Sequence, residues 1–211
     1  MTMYILASEY ELINMPSPQN SWIVRRFAGI FLTIMGWKVT GENPVAPRAV
    51  IIAAPHTSNW DFVYLIAAAA HLGIKINWLG KASLFRQPLG FFMKRFGGIA
   101  VDRSKRNDLV QQLTAKYKQH SRINLVIPPA GTRDHTDHWK SGFYHLAIAA
   151  RVPIICGYLD YPSRKAGLSK PFELTGKVEL DMEAIRRFYK NKVGLYPEKS
   201  SLIRLREEDN S

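Results

Sequence analysis

His56 and Asp61 stand in the run Ala54-Pro55-His56-Thr57-Ser58-Asn59-Trp60-Asp61, with four residues between imidazole and carboxylate. An apolar stretch, 49–53, precedes them, so the pair falls at the exit of an expected strand and the entry of an expected helix. A histidine held by a carboxylate is equipped to take a proton from a hydroxyl, the carboxylate fixing the ring tautomer and stabilising the imidazolium. A purely structural use of the same residues is also open, with Asp61 favoured by the helix dipole and His56 an ordinary loop residue. Two further segments carry chemistry. Gly97-Gly98-Ile99-Ala100-Val101-Asp102-Arg103 joins glycines that permit close backbone approach to a short strand ending in arginine. Pro129-Ala130-Gly131-Thr132-Arg133 sets glycine, hydroxyl and guanidinium in succession. An arginine fork suits phosphate oxygens, although either segment alone could be a structural turn. Asp134-His135-Thr136-Asp137-His138 has metal-capable side chains without a zinc or iron ligand spacing, and reads as a solvated loop.

These residues need elements to hold them. Strands are expected over Ala49–Ala53, Ile76–Leu79, Ile99–Val101, Asn124–Ile127 and Pro153–Tyr158, with an edge strand over Phe172–Val178. Helices are expected over Asp61–Leu72, Pro88–Arg95, Asn107–His120, Gly142–Ala150 and Met182–Lys190. The alternation predicts an α/β layered domain with a largely parallel sheet flanked by helices. In such sheets chemistry collects where strands end, and His56, Arg103 and Arg133 follow Ala53, Val101 and Ile127. Lys81, after the strand ending near Leu79, is a further candidate cation.

Ahead of this domain, Ser21 caps an expected amphipathic helix from Trp22 to about Trp37, with Ile23, Phe27, Ile30, Phe31, Ile34 and Met35 on one wide face. It reads as a helix packed on the core, as an interfacial helix with aromatic anchors and the cations Arg25, Arg26 and Lys38, or as both, packing on the domain and wetting lipid along one side. Its most apolar part, Phe27–Trp37, is about eleven residues, short of the roughly 20 that span a bilayer. The expected division is an N-terminal segment 1–40, an α/β domain 41–200 and a polar tail 201–211, frayed from Glu207.

The 211 residues, 46% hydrophobic, suffice for one such domain with a full core. The net charge of +12 calls for an anionic partner. No nucleic-acid motif accompanies it, so an anionic membrane surface is favoured over nucleic acid. The one cysteine, Cys156, excludes an internal disulfide, reads as a buried inert thiol and suits a reducing compartment. Glu9 and Glu11, with no small-residue cleavage site after an apolar core, argue against a signal peptide.

Taken together, the motifs resemble the glycerolipid acyltransferase family typified by the 1-acylglycerol-3-phosphate O-acyltransferases. His56 to Asp61 matches its His-x4-Asp motif, Gly97 to Arg103 its Gly-x-Ile-x-Val/Ile-Asp-Arg run, and Pro129 to Arg133 its Pro-Glu-Gly-Thr-Arg motif. Lys140-Ser141-Gly142 and Val152-Pro153-Ile154 also fit, and the likeness covers roughly 45–165. The resemblance implies an O-acyltransferase on the cytoplasmic face of a membrane, peripheral or monotopic. It would move a fatty acyl group from coenzyme A or acyl carrier protein to a lysophosphatidic acid or related lysolipid. His56 would be the general base and Asp61 its partner, with Ser58, Asn59, Arg103, Gly131, Thr132 and Arg133 as substrate contacts. No metal and no cofactor beyond the thioester co-substrate is implied. Backbone amides after Asn59 or around Gly131 would hold the tetrahedral oxyanion. The chain departs from the family at Ala130, where glutamate is expected, and a methyl group neither accepts a hydrogen bond nor holds a charge. An altered acceptor, a weakened or inactive enzyme, or an engineered substitution would each account for it. The alternative function is a catalytically impaired homologue that binds lipid or acyl carrier protein.

Overall fold

Each of the five strands expected between residues 49 and 158 forms, and two short ones extend the sheet. The computed structural model describes residues 21–41, 46–86, 88–101 and 106–209. In chain order the elements are α1 (Trp22–Ile34), β1 (Lys38–Thr40), β2 (Arg48–Ala53), α2 (Trp60–Leu72), β3 (Asn77–Lys81), α3 (Leu89–Arg95), β4 (Gly98–Val101), α4 (Arg106–Gln119), β5 (Ile123–Ile127), α5 (Gly142–Ala150), β6 (Ile154–Asp160), β7 (Lys165–Leu168) and α6 (Val178–Tyr189). The strands make one sheet in the order β1-β7-β6-β2-β5-β3-β4, parallel at every pairing except β6 with β7.

β2 is central. It pairs with β5 as far as Ile52↔Ile127 and with β6 as far as Ala53↔Gly157, so β2 and β5 end almost together while β6 runs on to Asp160. Ala49, Val50, Ile51 and Ile52 are all buried, as a strand covered on both faces requires, which explains its unbroken apolar run. One face packs Val50, Ile52, Leu125 and Cys156 against Phe143, Leu146, Met182 and Ile185 from α5 and α6. The other packs Ala49, Ile51 and Ile155 against Ala69, Ile74 and Ile76. Burial of Cys156 pushes its thiol up to about 12, consistent with the inert role expected for it. The buried Tyr189 hydroxyl ties two strands together, donating to the carbonyls of Ile52 and Gly157 at 3.0 Å each.

Two expectations need correction. Phe172–Val178 is not an edge strand: Phe172 makes a single bridge to Ile154, and the following amides turn elsewhere. The N–H groups of Thr175 and Gly176 donate to the buried carboxylate of Asp181, at 3.0 and 3.2 Å, so they are unavailable to a ladder. The edge is instead built by β7 and β1. Gly167 makes their approach possible, since a Cβ there would lie 2.7 Å from Thr40 Oγ1. Nor do Glu207, Glu208 and Asp209 fray, because Leu205 is fully buried and Arg186 donates to Glu208 at 2.6 Å; residues 210–211 lie outside the described residues.

The apolar face expected on α1 divides in two. Leu32 is buried against Tyr64, Ala68 and Ala166, with Phe31 and Met35 packed beside it. Trp22, Ile23, Phe27, Ile30 and Ile34 point outward, with Trp22 and Ile34 73% and 78% exposed. The helix is therefore both a core element and the carrier of an uncovered apolar stripe. Among the described residues no helix is long and apolar enough to cross a membrane.

Candidate active site

The sheet order delivers the site. β6, β2 and β5 are neighbours, so the loops leaving their carboxyl ends meet, carrying Tyr161, His56 and Arg133 respectively. Asp61 lies in the first turn of α2, where the helix dipole favours a negative charge. Its Oδ2 accepts hydrogen bonds from the amides of Thr57 and Ser58 at 2.8 and 2.9 Å, and lies 3.1 Å from His56 Nδ1. Its Oδ1 accepts the Tyr161 hydroxyl at 2.6 Å. Burial by itself raises the carboxyl pKa. The hydrogen bonds from His56, Tyr161, Ser58 and Thr57 outweigh that effect and hold it below the ordinary value.

An acceptor this fully ionised requires Nδ1–H on the neutral imidazole, which leaves the Nε2 lone pair to act as a base. Side-chain exposure differs in the same sense: 24% for His56 against 7% for Asp61. The imidazole is reachable and the carboxylate is not. Tyr161 is in turn held by Trp37, ring centroids 5.0 Å apart and nearly perpendicular, and its hydroxyl is kept protonated by burial and by the carboxylate it serves.

Ser58 and Asn59, expected as substrate contacts, are engaged within the loops. Ser58 is buried, its hydroxyl accepting the Trp60 amide at 3.2 Å. The Asn59 side-chain oxygen accepts from the Arg133 guanidinium, binding the His56 loop to the loop after β5. Thr132 accepts the Asp134 amide and closes its turn. Gly131 adopts a left-handed φ of 69°, and a Cβ there would meet the Lys140 side chain at 2.6 Å. The Gly131 amide donates to Pro128 at 3.1 Å, and the Thr57 and Ser58 amides donate to Asp61. Lys81 ends β3. Arg103 lies outside the described residues.

Beside His56 is a cavity of about 90 Å³, lined among others by Ala130, Trp139, Tyr189, Lys192, Ser200 and Ser201. Ala130, Trp139 and Tyr189 also belong to the main core cluster, so this wall is rigid. The segment after α6 closes the cavity: the Tyr196 amide donates to Thr57 Oγ1, Leu202 to Thr136, and Trp139 to Arg204. Sequence reasoning did not anticipate this segment or Tyr161. Neither belongs to a motif, and Tyr161 is separated from Asp61 by 100 positions.

Residues 36–159 match the family model described as Acyltransferase. The chain belongs to the acyltransferase family. The likeness read from the motifs over roughly 45–165 therefore holds. Among similar proteins, the probable 1-acyl-sn-glycerol-3-phosphate acyltransferase of Mycoplasma pneumoniae is 32% identical over 79% of this chain and 68% of its own length. The 1-acyl-sn-glycerol-3-phosphate acyltransferase of Saccharomyces cerevisiae is 32% identical over 64% of this chain, and that of Haemophilus influenzae 28% over 72%. This acyltransferase-family chain spans 47% of the yeast protein and 65% of the Haemophilus one. In fold it is similar to the crystal structure of the 1-acyl-sn-glycerophosphate acyltransferase of Thermotoga maritima, with a TM-score of 0.53 and 16% identity over 79% of this chain and 77% of that one.

Proposed function

We propose that the protein is a membrane-surface O-acyltransferase that moves a fatty acyl group from a coenzyme A or acyl-carrier-protein thioester to the hydroxyl of a lysophosphatidic acid or related lysolipid. The observation that carries this reading is the His56–Asp61 pair, ionised and braced on one side and open at Nε2 on the other. Nε2 takes the acceptor proton as the alkoxide oxygen bonds to the thioester carbonyl carbon, and Asp61 stabilises the resulting imidazolium. The tetrahedral intermediate expels the thiolate as the C–S bond breaks, and His56 returns the proton to sulfur. Cys156 takes no part, being buried with its thiol strongly protonated. The names of the relatives supply the acceptor class, and Arg133 at the rim suits its phosphate.

The exposed stripe on α1, followed by the exposed Trp60 at the start of α2, supports docking on a lipid surface. Arg25 and Arg26 add attraction for anionic headgroups. Mass spectrometry of lipids, after incubating the protein with mixed acyl donors and lysophosphatidic acid, tests the reading. Diacylated product is expected, falling about 10²- to 10⁴-fold in His56→Ala while vesicle binding persists. Absence of product from the parent protein across donors and acceptors overturns it.

A further inference from the structure

β3 shows which side of the sheet carries the exposed apolar side chains. Trp78 stands opposite Gly98 in the register, and its ring lies 4.9 Å from that of Phe62 in α2 and 5.9 Å from that of Phe85. Gly80 and Gly98 leave room for the Phe85 ring, which a Cβ would approach to 2.9 Å and 2.7 Å respectively. At Gly98 a Cβ would also meet the Met93 carbonyl of α3 at 2.8 Å. The turn after β3, and α3 beyond it, therefore share a face of the sheet with α2. α1 joins them, because Leu32 packs with Tyr64 and Ala68 of α2 over Ala166 of β7.

α1, α2 and α3 thus form one layer, and it is apolar outside as well as inside. Beyond the stripe on α1 it exposes Trp60, Phe62 and Val63 at the start of α2, Leu84 in the turn, and Phe91 and Phe92 on α3. The last two are 55% and 56% exposed, with rings edge to face at 5.7 Å. On the opposite layer, α5 and α6 expose only Ile148 and Leu180 in this way. An apolar surface confined to one side calls for a partner, and the charges say which. α1, α2 and residues 82–95 hold Arg25, Arg26, Arg86, Lys94 and Arg95 against one acidic residue, Asp61, which is buried. Aromatic rings among cations, with no surface carboxylate, suit an anionic lipid surface and would repel a second copy of the same layer.

Resting on the lipid-docking part of the reading above, we propose that α3 is a second lipid anchor: Phe91 and Phe92, next to Lys94 and Arg95, enter an anionic leaflet together with the stripe on α1. α1 lies over β7, and α3 packs on β4 at the far edge of the sheet. Five strand spacings separate β7 from β4, roughly 24 Å at about 4.8 Å each. A single anchor on α1 would let the protein pivot on the bilayer. Two anchors that far apart fix its tilt, with the His56 loop leaving β2 between them.

Nitroxide labelling of the full chain tests this without acyl transfer. Cys156 is fully buried, so the label goes to the cysteine introduced in Phe92→Cys, Phe27→Cys or Ile148→Cys. On vesicles of phosphatidylcholine with phosphatidylglycerol, the labels of Phe92→Cys and Phe27→Cys are expected to be relaxed by oxygen and shielded from an aqueous nickel chelate. The label of Ile148→Cys, on the opposite layer, is expected to show the reverse. Replacing both rings, Phe91→Ser with Phe92→Ser, is expected to weaken vesicle binding by about tenfold or more with circular dichroism and Tm unchanged. Unchanged binding in that double variant overturns the second anchor, as does a Phe92→Cys label in water while the Phe27→Cys label is in lipid. A Phe92→Cys label already shielded before vesicles are added, by a second copy or by residues 1–20, overturns it too. A parent protein that inserts both labels yet transfers no acyl group overturns the acyl-transfer reading and leaves the anchor standing.

Discussion

Tyr161 donates its hydroxyl to Asp61 Oδ1 at 2.6 Å, on the side of the carboxylate opposite the one that faces His56. The bond fixes the carboxylate plane from outside the His-x4-Asp loop, through a residue that leaves the end of β6. Tyr161→Phe keeps the ring against Trp37 and removes only this bond. A hydrogen bond to a charged group contributes about 1.5–3 kcal/mol, so urea unfolding should show a loss in that range. In the proposed reaction kcat should fall about tenfold with KM little changed, because the loosened carboxylate orients the base and not the substrate.

Asp61 should also leave a signature in the pH dependence of stability. Its pKa is depressed below the ordinary 3.8, so its contribution is fully present above the unfolded value and lost as pH falls through the folded one. Asp61→Asn should therefore be clearly less stable than the parent near pH 7. The gap should narrow once the pH drops below the ordinary carboxylate range. Chemical denaturation at neutral and strongly acid pH checks this, and a gap that stays constant would contradict the depressed pKa.

The outward stripe of α1 predicts lipid binding that tolerates loss of any one contact but not a buried charge. Phe27→Asp and Ile34→Asp remove side chains whose full burial is worth about 1.5–3 kcal/mol each, so either should weaken binding to anionic vesicles by at least tenfold. Leu32→Asp should instead unfold the protein, since Leu32 sits in the core. Vesicle co-flotation together with circular dichroism separates the two effects.

Gly97 is a stability prediction of a different kind. Its φ is 84°, and a Cβ would lie 2.1 Å from the Ile76 carbonyl oxygen, which is backbone and cannot swing aside. Gly97→Ala should cost about 3 kcal/mol or more, by strain and by displacement of the β3–β4 edge. A lowered Tm with an unchanged denaturant slope is the expected record.

Arg133→Lys tests the link between loops. Lysine keeps the charge but loses the fork that reaches Asn59. KM for a phosphate-bearing acceptor should rise several-fold, while a neutral acceptor should be affected less.

Much of this was legible in local pattern. The buried strand 49–53, the helix from residue 60 and the His56–Asp61 spacing all follow from apolar runs and from groups close in the chain, where geometry is set by the backbone itself. Near-neighbour chemistry of that kind survives any tertiary context, and the ordered motifs pointed to the family. Residues 165–168 and 38–40 carry too few residues for a period to show, and their pairing depends on Gly167 meeting Thr40 across the sheet. The supposed strand 172–178 was lost to Asp181, a carboxylate that outcompetes the ladder for the Thr175 and Gly176 amides. Only the tertiary structure brought Tyr161 to Asp61, and Lys192 and Ser200 to the wall beside Ala130. The sequence determined the base and its carboxylate because they share one short loop. What surrounds them was decided by strand order, which no local spacing encodes.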